Sequence, residues 1–188
     1  MTILRPRYQW IDFTSPDRYI IRMSLRPLQL ALLILAAVAI AAAGYTAYWY
    51  SAAQQLRAGM EEWSKERRAA GWYVDLGVPD ISGFPWRIDV FLQTPRLAGP
   101  DGEWRWTAPN IKAIAAPWLP GNITVSTPGI HVFTTRQGEY WVEFGDAEAD
   151  ISVDGSGISD TVLRLSKVDI RPPDGARMQV ERAVLRGR

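Results

Sequence analysis

The feature that most restricts this chain is an uncharged, apolar run near its N-terminus. No Asp, Glu, Lys or Arg occurs between Pro27 and Leu56, and residues 28–44 are almost purely aliphatic. Residues 27–50 are long enough to cross a hydrocarbon core of about 30 Å at roughly 1.5 Å per residue. A core helix of a soluble protein is rarely apolar on every face over this length. The run therefore predicts a transmembrane helix over residues 27–50.

Aromatic side chains cluster at the far end of this run. They are Tyr45, Tyr48, Trp49 and Tyr50. Amphipathic rings favour the headgroup level of a bilayer, so we predict an aromatic belt at this membrane surface. Basic residues lie on both sides of the run, and Arg22 and Arg26 lie close to its edge. This slight bias favours a cytoplasmic N-terminus with the bulk of the chain outside.

Residues 1–26 precede the membrane segment, and we interpret them as a short cytoplasmic tail. A misplaced translation start is the alternative, because Met23 leads directly into the apolar run, as in many signal anchors. With a start at Met23, residues 41–43 (three alanines) would also fit a signal-peptidase site. We expect the anchor to be retained, since the aromatic belt would serve no membrane purpose once the helix were removed.

Residues 51–71 are predicted to continue the helix outward as an amphipathic juxtamembrane segment. Leu56, Met60 and Trp63 follow the i, i+4, i+7 spacing, so they share one stripe. We expect this stripe to pack on the structure that follows. Gly71 is placed to end the helix as its C′ residue, where glycine adopts the left-handed conformation without steric cost.

The hydrophobic period changes from 3.6 to 2 after Gly71, which predicts an antiparallel β domain over residues 72–188. Its clearest strand has apolar side chains at Phe84, Trp86, Ile88, Val90 and Leu92. No helical segment separates the later strands, so parallel βαβ units are excluded. The predicted fold class is mainly β with an N-terminal helix. A single transmembrane helix continues into the juxtamembrane helix, and a curved antiparallel β-meander follows.

The sequence offers no constellation of catalytic residues. It contains no cysteine, which excludes disulfides, thiol nucleophiles and zinc–thiolate sites. Its one histidine, His131, cannot supply a multi-histidine metal site, and we interpret it as a partly exposed strand residue. Residues 154–157 resemble a glycine-rich phosphate loop, but no helix follows them, so we interpret them as a hairpin turn. We therefore expect no enzyme activity and no cofactor.

Three carboxylates alternate along one predicted strand, at Asp146, Glu148 and Asp150. We interpret them as a solvated strand face, with a hard-cation site as the alternative. The chain has 21 basic and 20 acidic residues and a net charge of +1. This balance lacks the basic excess expected of a nucleic-acid-binding protein. We expect neither a metal site nor a nucleic-acid partner.

The most distinctive segment is Gly83–Arg87, in which glycine and proline flank a bulky aromatic ring. One interpretation is the start of a strand whose Phe84 fills the core. The other is the mouth of a sheet-lined groove for a hydrophobic ligand. The hypothetical ligand-binding set consists of Phe84, Trp86, Ile88, Val90, Leu92, Trp104 and Trp106. Trp104 and Trp106 face the same way and are expected to extend the apolar face of the first strand.

Several segments together carry a family resemblance. They are residues 44–49, Trp63 with residues 66–72, residues 81–89 and residues 106–109. This combination resembles the uncharacterised bacterial family called domain of unknown function 2125, over roughly residues 23–153. Members are typically Gram-negative envelope proteins, so the resemblance implies an inner-membrane anchor and a periplasmic β domain. It implies no established activity and transfers no catalytic residues.

Two further implications concern architecture. Members of this family are usually longer, so the resemblance leaves open whether the sheet is complete at Arg188. The anchor, helix and meander also look like the start of AsmA-type envelope proteins, which use a curved sheet as a lipid-lined groove. That second likeness is architectural only.

Two functions follow from the sequence as competing hypotheses. The first is a non-enzymatic, membrane-anchored envelope protein whose curved sheet binds or shelters a membrane lipid or another hydrophobic ligand. The alternative is a structural or assembly protein that recruits an envelope protein partner through its edge strand or its helix stripe. An enzyme is the third and least supported, because His131 and the three alternating carboxylates are its whole basis.

Overall fold

The computed structural model describes residues 27–154 and 157–187. The apolar run and the juxtamembrane segment form one continuous helix, α1 (Pro27–Ala69). Among the described residues it is the one helix long and apolar enough to cross a membrane. The predicted tail, the alternative start at Met23 and the middle of the predicted turn at residues 154–157 lie outside the described residues.

The chain divides into two compact units after Ala41. In the first unit, the described residues 27–41 are helical, and their side chains are exposed. The second unit comprises residues 42–188 and contains the rest of α1 together with all the strands.

The C-terminal end of α1 is closed by a glycine in the left-handed conformation. Gly71 has a φ of 86°, its N–H donates to Arg68 O at 3.0 Å, and Trp72 N–H donates to Arg67 O at 3.0 Å. These two bonds form a Schellman motif, which satisfies carbonyls that the helix leaves unpaired. The predicted helix end at Gly71 is confirmed.

Within residues 27–154 and 157–187, the strands form one antiparallel sheet of 11 members. They are β1 (Tyr73–Asp75), β2 (Asp80–Ser82), β3 (Ile88–Gln93), β4 (Arg96–Ala98), β5 (Trp104–Thr107), β6 (Asn110–Ala116), β7 (Leu119–Ser126), β8 (Gly129–Thr135), β9 (Gly138–Asp154), β10 (Gly157–Arg171) and β11 (Met178–Gly187). The predicted fold class, mainly β with an N-terminal helix, is confirmed.

The first eight strands form four longer runs of chain, each made of two consecutive strands with a short break between them. The runs are β1 with β2, β3 with β4, β5 with β6, and β7 with β8. The first run pairs with the second, through β1 with β4 and β2 with β3. The second run pairs with the third, through β4 with β5 and β3 with β6. The third run pairs with the fourth, and the long β9, β10 and β11 follow in order. The sheet is therefore a simple meander, and among the described strands β11 lies at one edge.

A transverse line of strand breaks divides this sheet, and we name it the proline line. Its prolines are Pro79, Pro95, Pro109 and Pro128. Proline has no N–H to donate to a strand ladder, so each run is interrupted where one occurs. The long β9 and β10 cross the line without a break, and Lys167 of β10 adopts a φ of 50° there.

The proline line separates two halves of the sheet. The helix-covered half contains β2, β3, β6 and β7, together with residues 147–154 of β9 and 158–165 of β10. The distal half contains β1, β4, β5 and β8, together with residues 138–144 of β9 and 168–171 of β10. Only the first of these carries the hydrophobic cluster that packs on α1.

Candidate functional site

The helix docks on the sheet through a small aliphatic and aromatic core. Trp49 is 3% exposed and packs with Ala53 against β3. Its indole N–H donates to Arg87 O at 3.0 Å, so the polar edge of the ring is satisfied as well. Trp49 therefore belongs to the core, and its prediction as a member of the aromatic belt is wrong.

The predicted helix stripe is only partly responsible for this packing. Met60 packs against the core cluster, whereas Leu56 and Trp63 remain exposed over more than a third of their surface. The buried helix residues are instead Trp49, Ala53 and Ser64. The face of α1 that contacts the sheet is therefore rotated away from the predicted stripe and carries smaller side chains. Small side chains leave space between the helix and the sheet.

That space is a cavity of about 300 Å³ between α1 and the helix-covered half. Its lining residues are Ala52, Leu56, Met60, Ile88, Val90, Leu92, Ile111, Ala113, Ile114, Ala115, Pro120 and Ile123. Among these described residues none has a polar side chain. Alanines on β6 and α1 provide the room, because larger side chains at the same positions would fill it. This is the candidate functional site.

An apolar strip continues from the cavity across the sheet. Ala113 of the cavity lies opposite Val125, which lies opposite Ala149. Ala149 in turn lies opposite Leu163, and Leu163 lies opposite Leu185 on the edge strand. Residues directly opposite each other share a face of the sheet. The first three beyond the cavity are half-buried, and Leu185 is 60% exposed.

The predicted ligand-binding residues fall into three places. Ile88, Val90 and Leu92 are buried on β3 and line the cavity. Phe84 and Trp86 lie before the strand, in a turn closed by an Arg87 N–H to Gly83 O bond of 3.1 Å. The prediction that the strand begins at Phe84 is wrong, because Pro85 has no N–H to donate and Gly83 adopts a φ of 99°.

Phe84 lies among the rings of the helix rather than in the sheet core. It stacks on Tyr50 with ring centroids 5.9 Å apart and meets Trp49 edge-on at 5.5 Å. Trp86 is 74% exposed and contributes nothing to the cavity lining. These two rings lie at the end of the sheet that faces the aromatic part of α1.

Trp104 and Trp106 lie in the distal half, on β5. The run that contains β5 pairs directly with the run that contains β3, but β5 pairs with β4 and lies on the other side of the proline line from β3. Trp104 meets Trp72 edge-on at 5.6 Å, and Trp106 stacks on His131 at 5.9 Å. The expectation that they extend the apolar face of the first strand is therefore wrong, because the two strands belong to different halves.

His131 is the centre of a buried polar cluster beside the proline line. It is 2% exposed, so the prediction of a partly exposed residue is wrong. Trp106 Nε1–H donates to His131 Nδ1 at 3.2 Å, which leaves the proton on Nε2, where it is donated to Thr127 O at 2.9 Å. Burial lowers the pKa of His131 below its ordinary value, although the bond to Thr127 opposes this shift. The neutral imidazole is a structural linker here.

The alternating carboxylates lie on the polar face of the helix-covered half. Asp150 accepts hydrogen bonds from Arg164 and, at 2.9 Å, from Thr124 Oγ1. The Arg164 bond, helped by Thr124, holds the pKa of Asp150 below its usual range. Glu148 lies 3.5 Å from the same guanidinium. In the described part of the chain no cluster of ligands could hold a metal ion.

Sequence reasoning missed part of the cavity lining. Ile111 and Ile123 were recognisable as strand residues, and the alternation in β6 and β7 shows which of their neighbours share a face. The pairing of β3 with β6 rather than with β4 was the missing information. A turn signal alone does not specify it, because the chain leaves β3 and returns after a hairpin at residues 99–103.

The chain matches a family model over residues 49–188, described as an uncharacterized protein conserved in bacteria (DUF2125). The chain belongs to this family. The match begins later than the predicted resemblance and continues beyond residue 153, so the DUF2125 region contains the whole described sheet. No curated protein and no solved structure matches the chain. The likeness to AsmA-type proteins stays a prediction.

Proposed function

We propose that this DUF2125 protein is a non-enzymatic, membrane-anchored envelope protein that holds the acyl chain of a membrane lipid between α1 and its sheet. The supporting observation is the cavity of about 300 Å³, in which all the lining side chains are apolar. The apolar strip extends this lining toward the edge strand. Another hydrophobic ligand of similar width would meet the same surface.

The size and chemistry of the cavity agree with such a ligand. Its volume lies at the lower end of the range for ligand pockets, about 300–1,000 Å³. Burying one methylene gains about 0.8 kcal/mol, so a dozen methylenes would gain on the order of 10 kcal/mol before the entropic cost of binding. A chain lying partly in the cavity and partly along the strip would meet apolar side chains throughout.

The proposal includes a location for the protein. Its helix is apolar and long enough to span a membrane once. We place it in the inner membrane with a cytoplasmic N-terminus and a periplasmic β domain, from the position of Arg22 and Arg26 and from the envelope setting of the family resemblance. Membrane lipid is then the most abundant apolar ligand beside the cavity. Nucleic acid is not proposed as a partner, given a net charge of +1.

Native mass spectrometry of the full chain tests the lipid proposal. The protein would be expressed in a Gram-negative envelope, released in mild detergent and exchanged into a second detergent. We expect one lipid class to remain at about one molecule per chain. Ala113→Leu adds a branched side chain to the cavity wall and should abolish this retention. Ala176→Leu is the control, because it makes the same change in an exposed loop.

The proposal would be contradicted if the second detergent removed all lipid from the unchanged protein as well as from both variants. Retention that survives Ala113→Leu would also contradict it, because the lipid would then lie elsewhere. A melting curve of each variant shows whether the added side chain has disturbed the fold rather than the cavity.

A partner protein at the edge strand is the second candidate function. In the described chain β11 pairs only with β10, and most of its side chains are exposed. An open edge of this kind is a template for β-strand addition by another chain. A photo-crosslinking residue at Gln179 or Val184 would identify such a partner in envelopes. Absence of any protein adduct at both positions would contradict this candidate.

A further inference from the structure

Two turns of the helix-covered half are tied directly to the aromatic part of α1. Tyr45 donates its hydroxyl proton to Pro85 O in the turn before β3. Tyr48 donates to Pro117 O, in the turn between β6 and β7, at 2.9 Å. Trp49 completes the connection with its bond to Arg87 O. These three contacts hold one end of the sheet at a fixed level along the helix.

That level coincides with the end of the hydrocarbon-spanning stretch. A helix needs about 20 residues to cross the hydrocarbon core, so a span that begins at Pro27 ends near Thr46. Tyr45 and Tyr48 lie on either side of this position. Both tyrosines place a ring at the boundary and a hydroxyl group at the adjoining turn, as residues at a headgroup interface do.

The same two turns present large apolar side chains that the protein does not cover. Trp86 and Trp118 are 74% and 62% exposed, and Leu119 follows with about half of its surface accessible. Exposed apolar groups that lie together mark an interaction surface more often than isolated ones do. Within Gly83–Arg87 and Pro117–Leu119 the one charged residue is Arg87, a cation.

We infer that these turns form an interfacial rim, defined by Phe84, Trp86, Trp118 and Leu119, which is seated in the headgroup layer of the bilayer that carries the anchor. The rim thereby docks the sheet onto the membrane surface independently of any ligand in the cavity. Tryptophan suits this layer because its ring is apolar and its N–H stays hydrated. Arg87 Nε lies 2.9 Å from Asp89 Oδ2, so its charge is already paired within the protein.

Spin labelling of the full chain in vesicles tests this inference. The chain contains no cysteine, so each single-cysteine variant carries one nitroxide at a known position. The probe vesicles contain phosphatidylethanolamine and phosphatidylglycerol in a 7:3 ratio. Labels at Trp86→Cys and Trp118→Cys report on the rim. Ala47→Cys, on the exposed helix surface, is the interface reference, and Gln137→Cys, in the exposed turn between β8 and β9, is the aqueous control.

Collision rates with oxygen and with a water-soluble nickel chelate give the depth of each label. We expect rim labels to resemble the label at residue 47, with chelate accessibility several-fold lower than at residue 137. Leu119→Cys repeats the measurement with both tryptophans retained, in case their replacement loosens the turns. Rim labels that match residue 137 at all three positions would overturn the inference. This outcome leaves lipid retention in the cavity untouched, so the two proposals fail separately.

Discussion

The two halves of the sheet are stabilised in different ways, although they consist of the same runs of chain. The helix-covered half is apolar on one face, is packed against α1, and contains small side chains such as Ala113 and Ala115. The distal half meets the C-terminal end of α1 through Arg68, whose guanidinium donates to Val74 O of β1 at 3.0 and 2.8 Å, and it is linked by aromatic rings and buried polar groups around His131. The cavity occurs where alanines meet the helix, whereas rings and hydrogen bonds occupy the distal half around His131.

The polar groups of the distal half extend to its outer hairpin. Asp169 is almost fully buried and accepts hydrogen bonds from Arg177 and Gln179. The Arg177 bond holds the pKa of Asp169 far below its usual range, with Gln179 adding to the effect. Arg171 links Glu143 and Asp169 across the same strands. Charge pairs thus close this end of the sheet, whereas the other end is closed by the helix.

The largest expected effect comes from removing the residue that joins helix and sheet. Trp49→Ala deletes a buried ring and leaves Arg87 O without its indole donor, which should cost about 3–5 kcal/mol. Thermal unfolding in mild detergent measures this loss. Tyr50→Ala is the matched control, since it truncates a neighbouring ring that is exposed. Equal losses for the two variants would show that the helix does not stabilise its half of the sheet.

A smaller effect is expected from the polar cluster of the distal half. His131→Leu leaves Trp106 N–H and Thr127 O without partners, which should cost about 1–3 kcal/mol. Combining it with Trp106→Phe should restore part of the loss, because the unsatisfied donor is then removed as well. Unfolding of the two single variants and the double variant measures this coupling. Strict additivity would show that the Trp106–His131 bond contributes nothing.

Acidification should weaken the distal half before the helix-covered half. The pKa of His131 is lowered by burial, so the folded state resists protonation, while the unfolded chain protonates near its ordinary pKa of 6.5. The stabilising contribution is therefore complete above about pH 6.5 and is lost as the pH falls below it. Hydrogen exchange of β5 and β8 between pH 7.5 and 5.5 measures this. His131→Leu should abolish the pH dependence; if it persists unchanged, another group is responsible.

The smallest effects should come from the charge pairs, and they should differ between the halves. Asp169→Asn removes the acceptor for Arg177 at a buried position, whereas Asp150→Asn changes a solvated pair with Arg164. We expect a measurable fall in melting temperature for Asp169→Asn and almost none for Asp150→Asn, because exposed pairs are screened by water. Both depressed pKa values mean that these contributions exist above about pH 4 and are lost below it. A larger fall in melting temperature for Asp150→Asn than for Asp169→Asn would contradict this comparison of the two halves.

The sequence predicts the elements of this fold well. Absence of charge from Pro27 to Leu56 requires an apolar helix, and the left-handed preference of Gly71 ends it. Alternation in Ile88, Val90 and Leu92 gives the correct buried face of β3 because cross-strand packing follows the period of 2. These are local rules, and local rules are visible in a single sequence.

Only part of the site could be predicted, because strand pairing and the burial of single residues depend on contacts between distant parts of the sequence. Trp104 and Trp106 alternate as correctly as the residues of β3, but alternation does not reveal that the proline line separates them from the cavity. Trp49 satisfies the composition of an aromatic belt, and only its bond to Arg87 O shows that it belongs to the core. His131 carries no local signal of burial, because its partners come from β5 and from the break before β8.

The order of pairing in the meander has a consequence for how the domain is made. Each run of strands contacts the run before it, so no strand must wait for a partner from the far end of the chain. Contacts between segments that are near in sequence reduce the entropic cost of the conformational search. During synthesis from the N-terminus, α1 is made first and each new run finds the run it pairs with already present. The polypeptide can therefore assemble in the order in which it is synthesised.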